Sequence, residues 1–336
     1  MKKEGITMKD IAREANVSVA TVSHVINNTK NISQATRKKV MSITEKYNYT
    51  PNYSAKNLRQ QSTKTVALVI SSHPDAFVTE MIFAIEERAA EMDYNLLLVN
   101  TKEHSEYEEK TINLLHSNLV DGIILSPTSG DIQYLQNYTK DKFPIVMVNR
   151  YDDSIESISR VTGDNFQLGY DATMHLLDHG HEKIGFIYTY PDVSTTEDRI
   201  KGHHEALKQA NIPFDQELII QGFAHIDGGA AATKELLMKN NRITALFIQN
   251  DLMTIGALDA IKEMYLRIPD DIAIIGFGEF SASHIIDPSI TTIVLPPETI
   301  GKTAFDILLN KMNNPDYMNH VELPPFMNIR KSCGCQ

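Results

Sequence analysis

The chain has 336 residues, 42% of them hydrophobic and 22% charged, with a formal net charge of −11. That length predicts two or three domains, and the composition is that of an ordinary globular protein. It holds no apolar run of about 18 residues and no N-terminal signal core, which excludes a membrane span or export and predicts a cytoplasmic protein with no membrane partner. Cys333 and Cys335 lie at the extreme C-terminus, so a disulfide framework is excluded. A C-x-C pair supplies two metal ligands at most, and this segment reads as a disordered tail.

Charge is unevenly spread. Residues 1–60 carry eleven Lys and Arg against Glu4, Asp10, Glu14 and Glu45, a surplus of seven that leaves −18 for the rest. Such asymmetry predicts a basic module for a polyanion joined to an acidic body. Within that module "TMKDIAREANVSVATVSHVINN" reads as two short helices. Thr7 N-caps the first, with Asp10 as its box partner and Ile11, Ala12 and Ala15 turned inward. Asn16 and Val17 form a tight turn. Ser18 caps the second helix, where Val22, Val25 and Ile26 share one face and Ala20, Ser23, His24 and Asn27 the other. A third helix runs from about Gln34 to Tyr47, with Val40, Ile43 and Tyr47 inward and Arg37, Lys38 and Lys39 outward.

Three small helices with a tight turn between the first two predict a helix-turn-helix unit. The second helix suits the major groove, because short side chains allow close approach and polar ones offer hydrogen bonds. Thr21 and Ser23 suit phosphates, His24 can donate to guanine, and Val19 and Ala20 can meet a thymine methyl. The alternative is a three-helix bundle whose polar face is merely solvated. In the next stretch, "TPNYSAKNLRQQSTK", Pro51 breaks the third helix and Asn52 caps a further turn or two. Ser54, Ala55 and Leu58 share one side of it. Leu58, flanked by Lys56 and Arg59, fits a wedge between minor-groove base steps with cations on the phosphates.

These segments resemble the N-terminus of the LacI/GalR family of bacterial transcription repressors. The match runs through "IAREANVSVATVSHVIN", "NISQATRKKV", "YNYTPN" and Leu58, and similarity continues to "IRKSC" near the C-terminus. The resemblance implies a homodimer on a double-stranded DNA operator, with paired hinge helices whose two leucines kink the operator centre. It implies DNA contacts from Thr7, Ser18, Val19, Ala20, Thr21, Ser23, His24 and Asn27, and from Asn52, Ala55, Lys56, Leu58 and Arg59. His24 matches purine-repressor-like members, where many sugar repressors have arginine.

From Thr65 onward, short apolar runs alternate with helix-length segments. "TVALVI" precedes a helix with Phe77, Met81, Ile82 and Ile85 inward; "YNLLLVN", "DGIILS" and "PIVMVNR" follow. A second series comprises "KIGFIY", "ELIIQGF", "ALFIQND" and "IAIIGFG", and "ITTIVLPPETIGKTAFDILLNKM" adds a late strand and helix. Continuous apolar strands separated by helices predict parallel sheets covered on both faces. The fold class is therefore an N-terminal all-α helix-turn-helix domain plus an α/β body of two doubly wound parallel-sheet lobes. The resemblance likens that body to type I periplasmic binding proteins, with chain crossings near 163–165, 292–296 and 322–326. The expected domains are residues 1–50 for DNA binding, 51–64 for hinge and linker, and 65–332 for effector binding and dimerisation. The N-lobe then comprises about 65–163 and 293–324, and the C-lobe about 164–292 and 325–332.

Open α/β sheets bind ligands beyond the carboxyl ends of their strands. Ser71, Ser126, Asn149, Arg150, Asn250, Asp251 and Glu279 follow such strands, and their side chains suit hydroxyls that both donate and accept. Phe77 and Phe223 can pack on the apolar face of a sugar or sandwich a base. Thr195 and Arg199 complete the expected effector set, and the resemblance points to Arg199, Asn250, Phe223, Phe77 and Asn149 as cleft residues. "GFGEF" departs from the aspartate that many relatives carry there, leaving Glu279 as the acidic candidate. His175, His179 and His181 in "MHLLDHGHEKIG" have metal-ligand spacing, but no third ligand is apparent, so no metal and no cofactor are expected. Gly180 reads as a helix C-cap, and "GDNFQLG" as a crossing followed by a cap.

Phosphate-loop, dinucleotide and nucleophile-elbow motifs are absent, which argues against an α/β enzyme such as a sugar kinase or dehydrogenase. A transporter's solute-binding protein would need a signal peptide and no basic module. The favoured function is a non-enzymatic regulator, a repressor of carbohydrate uptake or catabolism genes, controlled by a sugar or sugar derivative. Control by a purine or by a phosphorylated partner protein is the alternative.

Overall fold

A computed structural model describes residues 6–26, 28–49, 62–71, 75–128, 132–239 and 243–335. The chain divides into two compact units, Met1–Ser62 and Thr63–Gln336.

The first unit contains α1 (Met8–Ala15), α2 (Val19–Ile26) and α3 (Gln34–Lys46). Thr7 closes a capping box with Asp10, and α1 stops at Asn16 in the left-handed region, φ 52°. Asparagine tolerates that conformation because its short side chain bonds locally, and the chain can reverse at once into α2. Ser18 starts α2 by accepting from the Thr21 N–H at 3.0 Å. Ile11, Ala12, Ala15, Val22, Val25, Val40 and Ile43 form the core. Tyr47, expected inward, is 39% exposed. It is the C-cap of α3 and lies past the helical period, while Tyr49 packs on the core instead.

The second unit holds two sheets. The first contains β1 (Thr65–Ile70), β2 (Asn95–Asn100), β3 (Gly122–Leu125), β4 (Ile145–Val148), β5 (Ser159–Gly163) and, from near the C-terminus, β11 (His320–Leu323). The second contains β6 (Ile184–Tyr188), β7 (Ile219–Gln221), β8 (Ala245–Ile248), β9 (Ala273–Phe277), β10 (Thr291–Val294) and β12 (Phe326–Asn328). Strand order is β11-β5-β4-β3-β1-β2 in one and β12-β10-β9-β8-β6-β7 in the other. All pairings are parallel except β12 against β10, an antiparallel edge on an otherwise parallel sheet. The lobes are therefore near-copies in topology.

The helices of the first lobe are α4 (Ala76–Glu91), α5 (Ser105–His116), α6 (Leu135–Lys140) and α11 (Pro297–Asn313). Those of the second are α7 (Asn165–Asp178), α8 (Ser194–Gln209), α9 (Ile226–Met238) and α10 (Asp251–Glu263). Asp164 caps α7 directly after β5, accepting from the Gln167 N–H at 2.8 Å. Gly169 on α7 and Gly202 on α8 let these helices touch backbone to backbone: a Cβ at Gly202 would lie 2.0 Å from the Phe166 carbonyl oxygen. β10 stays with the second sheet through Val294, and α11 then packs on α4 and the first sheet. The chain thus changes lobe between 163 and 165, between 294 and 297, and between 323 and 326.

Two expectations need correction. β2 is not covered on both faces: Leu97 and Leu98 are 36% and 46% exposed. It is the edge strand, so only one neighbour shields it. The C-terminal segment is not a disordered tail. Lys331–Cys333 forms a turn of 3-10 helix, Ser332 donates to the Ile274 carbonyl at 2.7 Å, and Cys333 is fully buried.

Candidate functional site

The carboxyl ends of both sheets in the second unit face a common cleft. Among the described residues, an inner cavity of about 50 Å³ is lined from the first lobe by Asp75, Phe77, Val78, Asn149 and Arg150. Thr189, Tyr190, Thr195, Arg199, Ala224, Gln249, Asn250 and Phe277 line it from the second. An outer cavity of about 330 Å³ shares Arg150 and is bordered by Asp152, Asp153, Asp192, Glu197, Asp198 and Lys201. The inner space alone is smaller than a typical ligand pocket, and the outer one reaches that range.

Arg199 lines the inner cavity from the second lobe. Its Nε donates to Asn165 Oδ1 at 2.8 Å and its Nη1 to the Gln249 carbonyl at 2.9 Å. The guanidinium lies 4.0 Å from the Phe277 ring centroid, a cation–π contact at a buried position. Phe277 meets Phe77 of the other lobe with centroids 5.6 Å apart, so aromatics from both lobes form one wall. Burial pulls Arg199 down to about 9, with nearby Asp75 opposing that pull, and it remains a cation at neutral pH.

Arg150 is placed differently. Asn149 ends β4 in the left-handed region, φ 65°, and turns the chain there. Arg150 Nη1 contacts Glu103 Oε1 at 2.8 Å and donates to Ser71 Oγ at 2.9 Å and the Pro127 carbonyl at 3.2 Å. Its ion pair and hydrogen bonds lie inside its own lobe, and its guanidinium also stands 5.9 Å from the ring centroid of Tyr190 in the second lobe.

Asp75 caps α4, accepting from the Val78 N–H at 2.8 Å. Burial and the Asp251 carboxylate push it up to about 6, against the pull of the Val78 N–H and of Arg199 and Arg150. Gln249 accepts from Thr196 Oγ1 at 3.1 Å and from the Thr189 N–H at 3.3 Å. Its Nε2 is buried with no hydrogen-bond partner among the described residues. A buried donor left unpaired is costly, so an acceptor in the cavity would be favoured there.

Of the nine expected effector residues, Phe77, Asn149, Arg150, Thr195, Arg199 and Asn250 line the inner cavity. Three do not. Asp251 caps the first lobe instead, accepting from the Ala76 N–H at 3.0 Å across the cleft. Phe223 is 49% exposed and stacks beside His225, while its neighbour Ala224 takes the wall position. Glu279 points to the C-terminal strand, accepting from Ser283 at 2.6 Å, Arg330 and Asn328 at 2.7 Å and Thr292 at 2.9 Å. Burial works against its charge, yet these bonds hold its carboxyl below the usual range. Asp75, Tyr190, Gln249 and Phe277 were missed. The strand-end rule could have found Gln249, which directly follows β8, and Phe277, the last residue of β9.

In the first unit, the outward face of α2 is graded. Val19 and Ala20 are exposed, and Thr21, Ser23 and His24 half-buried. Ser18 and Thr21 share a hydroxyl contact of 2.9 Å, and His24 Nδ1 lies 2.9 Å from Thr29 Oγ1. Arg37, expected outward, reaches Asn28 Oδ1 at 2.7 Å and ties α3 to the turn after α2. Asn27, Asn52, Ala55, Lys56, Leu58 and Arg59 lie outside the described residues.

No described helix is long and apolar enough to cross a membrane. The model for bacterial regulatory proteins of the lacI family matches residues 7–52, and the model for periplasmic binding proteins and the sugar-binding domain of that family matches 63–330. The HTH-type transcriptional repressor PurR of Photobacterium profundum is 32% identical over 328 residues, covering 97% of this chain and 98% of that protein. Catabolite control protein A of Priestia megaterium is 32% identical over 329 residues, covering 97% and 99%. A solved complex of the transcriptional regulator CelR with cellobiose superposes with a TM-score of 0.75 at 27% identity, covering 97% and 99%. With a helix-turn-helix unit, a two-lobed body and both family models matched, the chain belongs to the LacI family of DNA-binding transcriptional repressors.

Proposed function

We propose that this repressor acts in the cytoplasm as a homodimer on a palindromic operator and is controlled by a neutral sugar-like effector between its lobes. The observation that carries the effector reading is the cleft itself. Arg199, Asn250 and the unpartnered Gln249 Nε2 surround an aromatic wall of Phe77 and Phe277, a set suited to hydroxyls and a sugar's apolar face. The cellobiose complex of a relative supports the same class. Neutrality follows from charge. Arg150 is already paired with Glu103, and five carboxylates border the outer cavity, so an added phosphate or carboxylate would meet repulsion. On the first lobe, Phe83 of α4 is 67% exposed and Leu97 and Leu98 of the edge strand β2 are exposed as well, apolar side chains suited to contact with a second copy.

Ligand and operator must alter each other's affinity by one common factor, in whichever direction. A thermal-shift screen of neutral sugars, sugar acids, sugar phosphates and purine bases tests the effector class. Ligand at 100 times its dissociation constant adds about 2.7 kcal/mol, so binders stand out. A shift with neutral sugars that vanishes in Arg199→Ala supports the proposal. A shift confined to phosphorylated or purine ligands would overturn it, and silence from all four classes would favour a partner protein.

A further inference from the structure

The C-terminal C-x-C pair and the histidines of α7 meet in the fold. We propose that His175, His179, Cys333 and Cys335 form a tetrahedral site for a thiophilic divalent cation, with zinc as the expected occupant. Each residue offers one ligand atom, and these four atoms lie within 4.8 Å of one another. His175 Nε2 is 3.2 Å from Cys333 Sγ and 3.6 Å from Cys335 Sγ, and His179 Nε2 is 3.1 Å from Cys335 Sγ. Zinc bonds of about 2.0–2.1 Å to nitrogen and 2.3 Å to sulfur imply N···S edges of roughly 3.5 Å in a tetrahedron. The three N···S distances need shifts of a few tenths of an ångström, and the widest pair of ligand atoms, up to 4.8 Å apart, closes by about 1 Å to complete the geometry.

The surroundings are built for it. His175 and His179 stand one helical turn apart at the end of α7 and put both Nε2 atoms on one side, their rings 4.8 Å apart. Gly334, at φ 97°, takes the left-handed turn that brings the second sulfur back towards the first. Thr291 Oγ1 donates to Cys333 Sγ at 3.1 Å, the kind of outer contact that steadies a thiolate ligand. Cys333 is fully buried and Cys335 half-buried, leaving a way in from one side. Binding would replace two thiol protons, released to solvent, by two metal–sulfur bonds. Each half of the site supplies only two ligands, which is why neither half reads as a metal site by itself.

Occupancy would pin the C-terminal turn to α7, the helix whose first residue, Asn165, holds Arg199 in the cleft. The test uses the full chain purified under thiol protection. Elemental analysis should find one zinc per chain. Cobalt substitution should give the visible bands of a tetrahedral ion together with a thiolate charge-transfer band. Chelation should expose two thiols to a thiol reagent and lower the melting temperature. Cys335→Ser with His179→Ala alters the accessible side and spares buried Cys333; this variant should lose at least about a hundredfold in zinc affinity, with the thiolate band weakened. His181→Ala, a neighbour bonded to Thr244 at 3.0 Å, should keep both. Failure of the metal-free chain to bind zinc or cobalt, or unchanged affinity in the double variant, would overturn the proposal. So would a cobalt spectrum without the thiolate band, or a Cys333–Cys335 disulfide in the freshly isolated, thiol-protected chain.

Discussion

The two lobes share a topology and each brings a buried arginine to the cleft, yet the two cations are held in opposite ways. Arg150 of the first lobe faces a fixed acid, Glu103, within 2.8 Å. Arg199 of the second lobe is held by neutral oxygens and by the Phe277 ring. A buried cation neutralised by its own lobe has little charge to offer a ligand. One whose direct partners are neutral keeps more of its field for whatever enters, offset by the nearby Asp75 and Asp198 carboxylates. On the function proposed above, duplicated architecture does not duplicate function: the first lobe would contribute mainly shape and the second the available cation.

This contrast can be broken from either side. Arg150→Ala removes the guanidinium that neutralises Glu103, and should cost about 3–5 kcal/mol of stability by urea unfolding. Glu103→Gln with Arg150→Met should recover most of that loss, because no buried charge is stranded. Arg199→Ala should mainly weaken effector binding, by about 1.5–3 kcal/mol in calorimetry, as expected for hydrogen bonds to a charged group. Equal losses of effector affinity in Arg150→Ala and Arg199→Ala would erase the distinction drawn between the lobes.

Asp75 sharpens the comparison through pH. Its folded value, about 6, lies above its ordinary 3.8, so between these values the folded chain holds more proton than the unfolded one. Stability from this group is complete below pH 3.8, falls as pH rises to about 6, and stays lost above. Asp75→Asn keeps the α4 cap and should be more stable than the parent at pH 7.5 by on the order of 1–2 kcal/mol, allowing for partial exposure. The gain should disappear at pH 4; a gain of the same size at both pH values would mean burial of the charge is not its cause. The smallest expected effect is that of Phe277→Leu, which removes the ring face under Arg199 while keeping bulk. It should cost about 0.5–2 kcal/mol of effector affinity, and none would mean the ring merely fills space.

Local signals were legible in the chain itself. Thr7, Asn16 and Ser18 announce the caps and turn of α1 and α2, and the apolar runs from "TVALVI" to "IAIIGFG" announce most of both sheets. β5, β11 and β12 were not read as strands, because short polar segments such as "SRVTG" and "HVEL" become strands only by pairing with neighbours distant in sequence. The strand-end rule located three of the six expected residues that line the cavity, Asn149, Arg150 and Asn250, since the carboxyl ends of a parallel sheet share one side.

The sequence determined what depends on neighbours within a few residues: caps, helical faces, strand cores, and the basic unit set apart from the acidic body. Tertiary structure alone decided which side chains meet across long separations. Asp251 became a cap for α4, 175 residues away, and Glu279 an anchor for Arg330. It also brought Cys333 to His175 over 158 residues. A side chain's identity lists what it can bind. Its partner is chosen by packing of the whole chain, because burial makes every unpaired polar group costly and only the completed fold shows which groups remain to be satisfied.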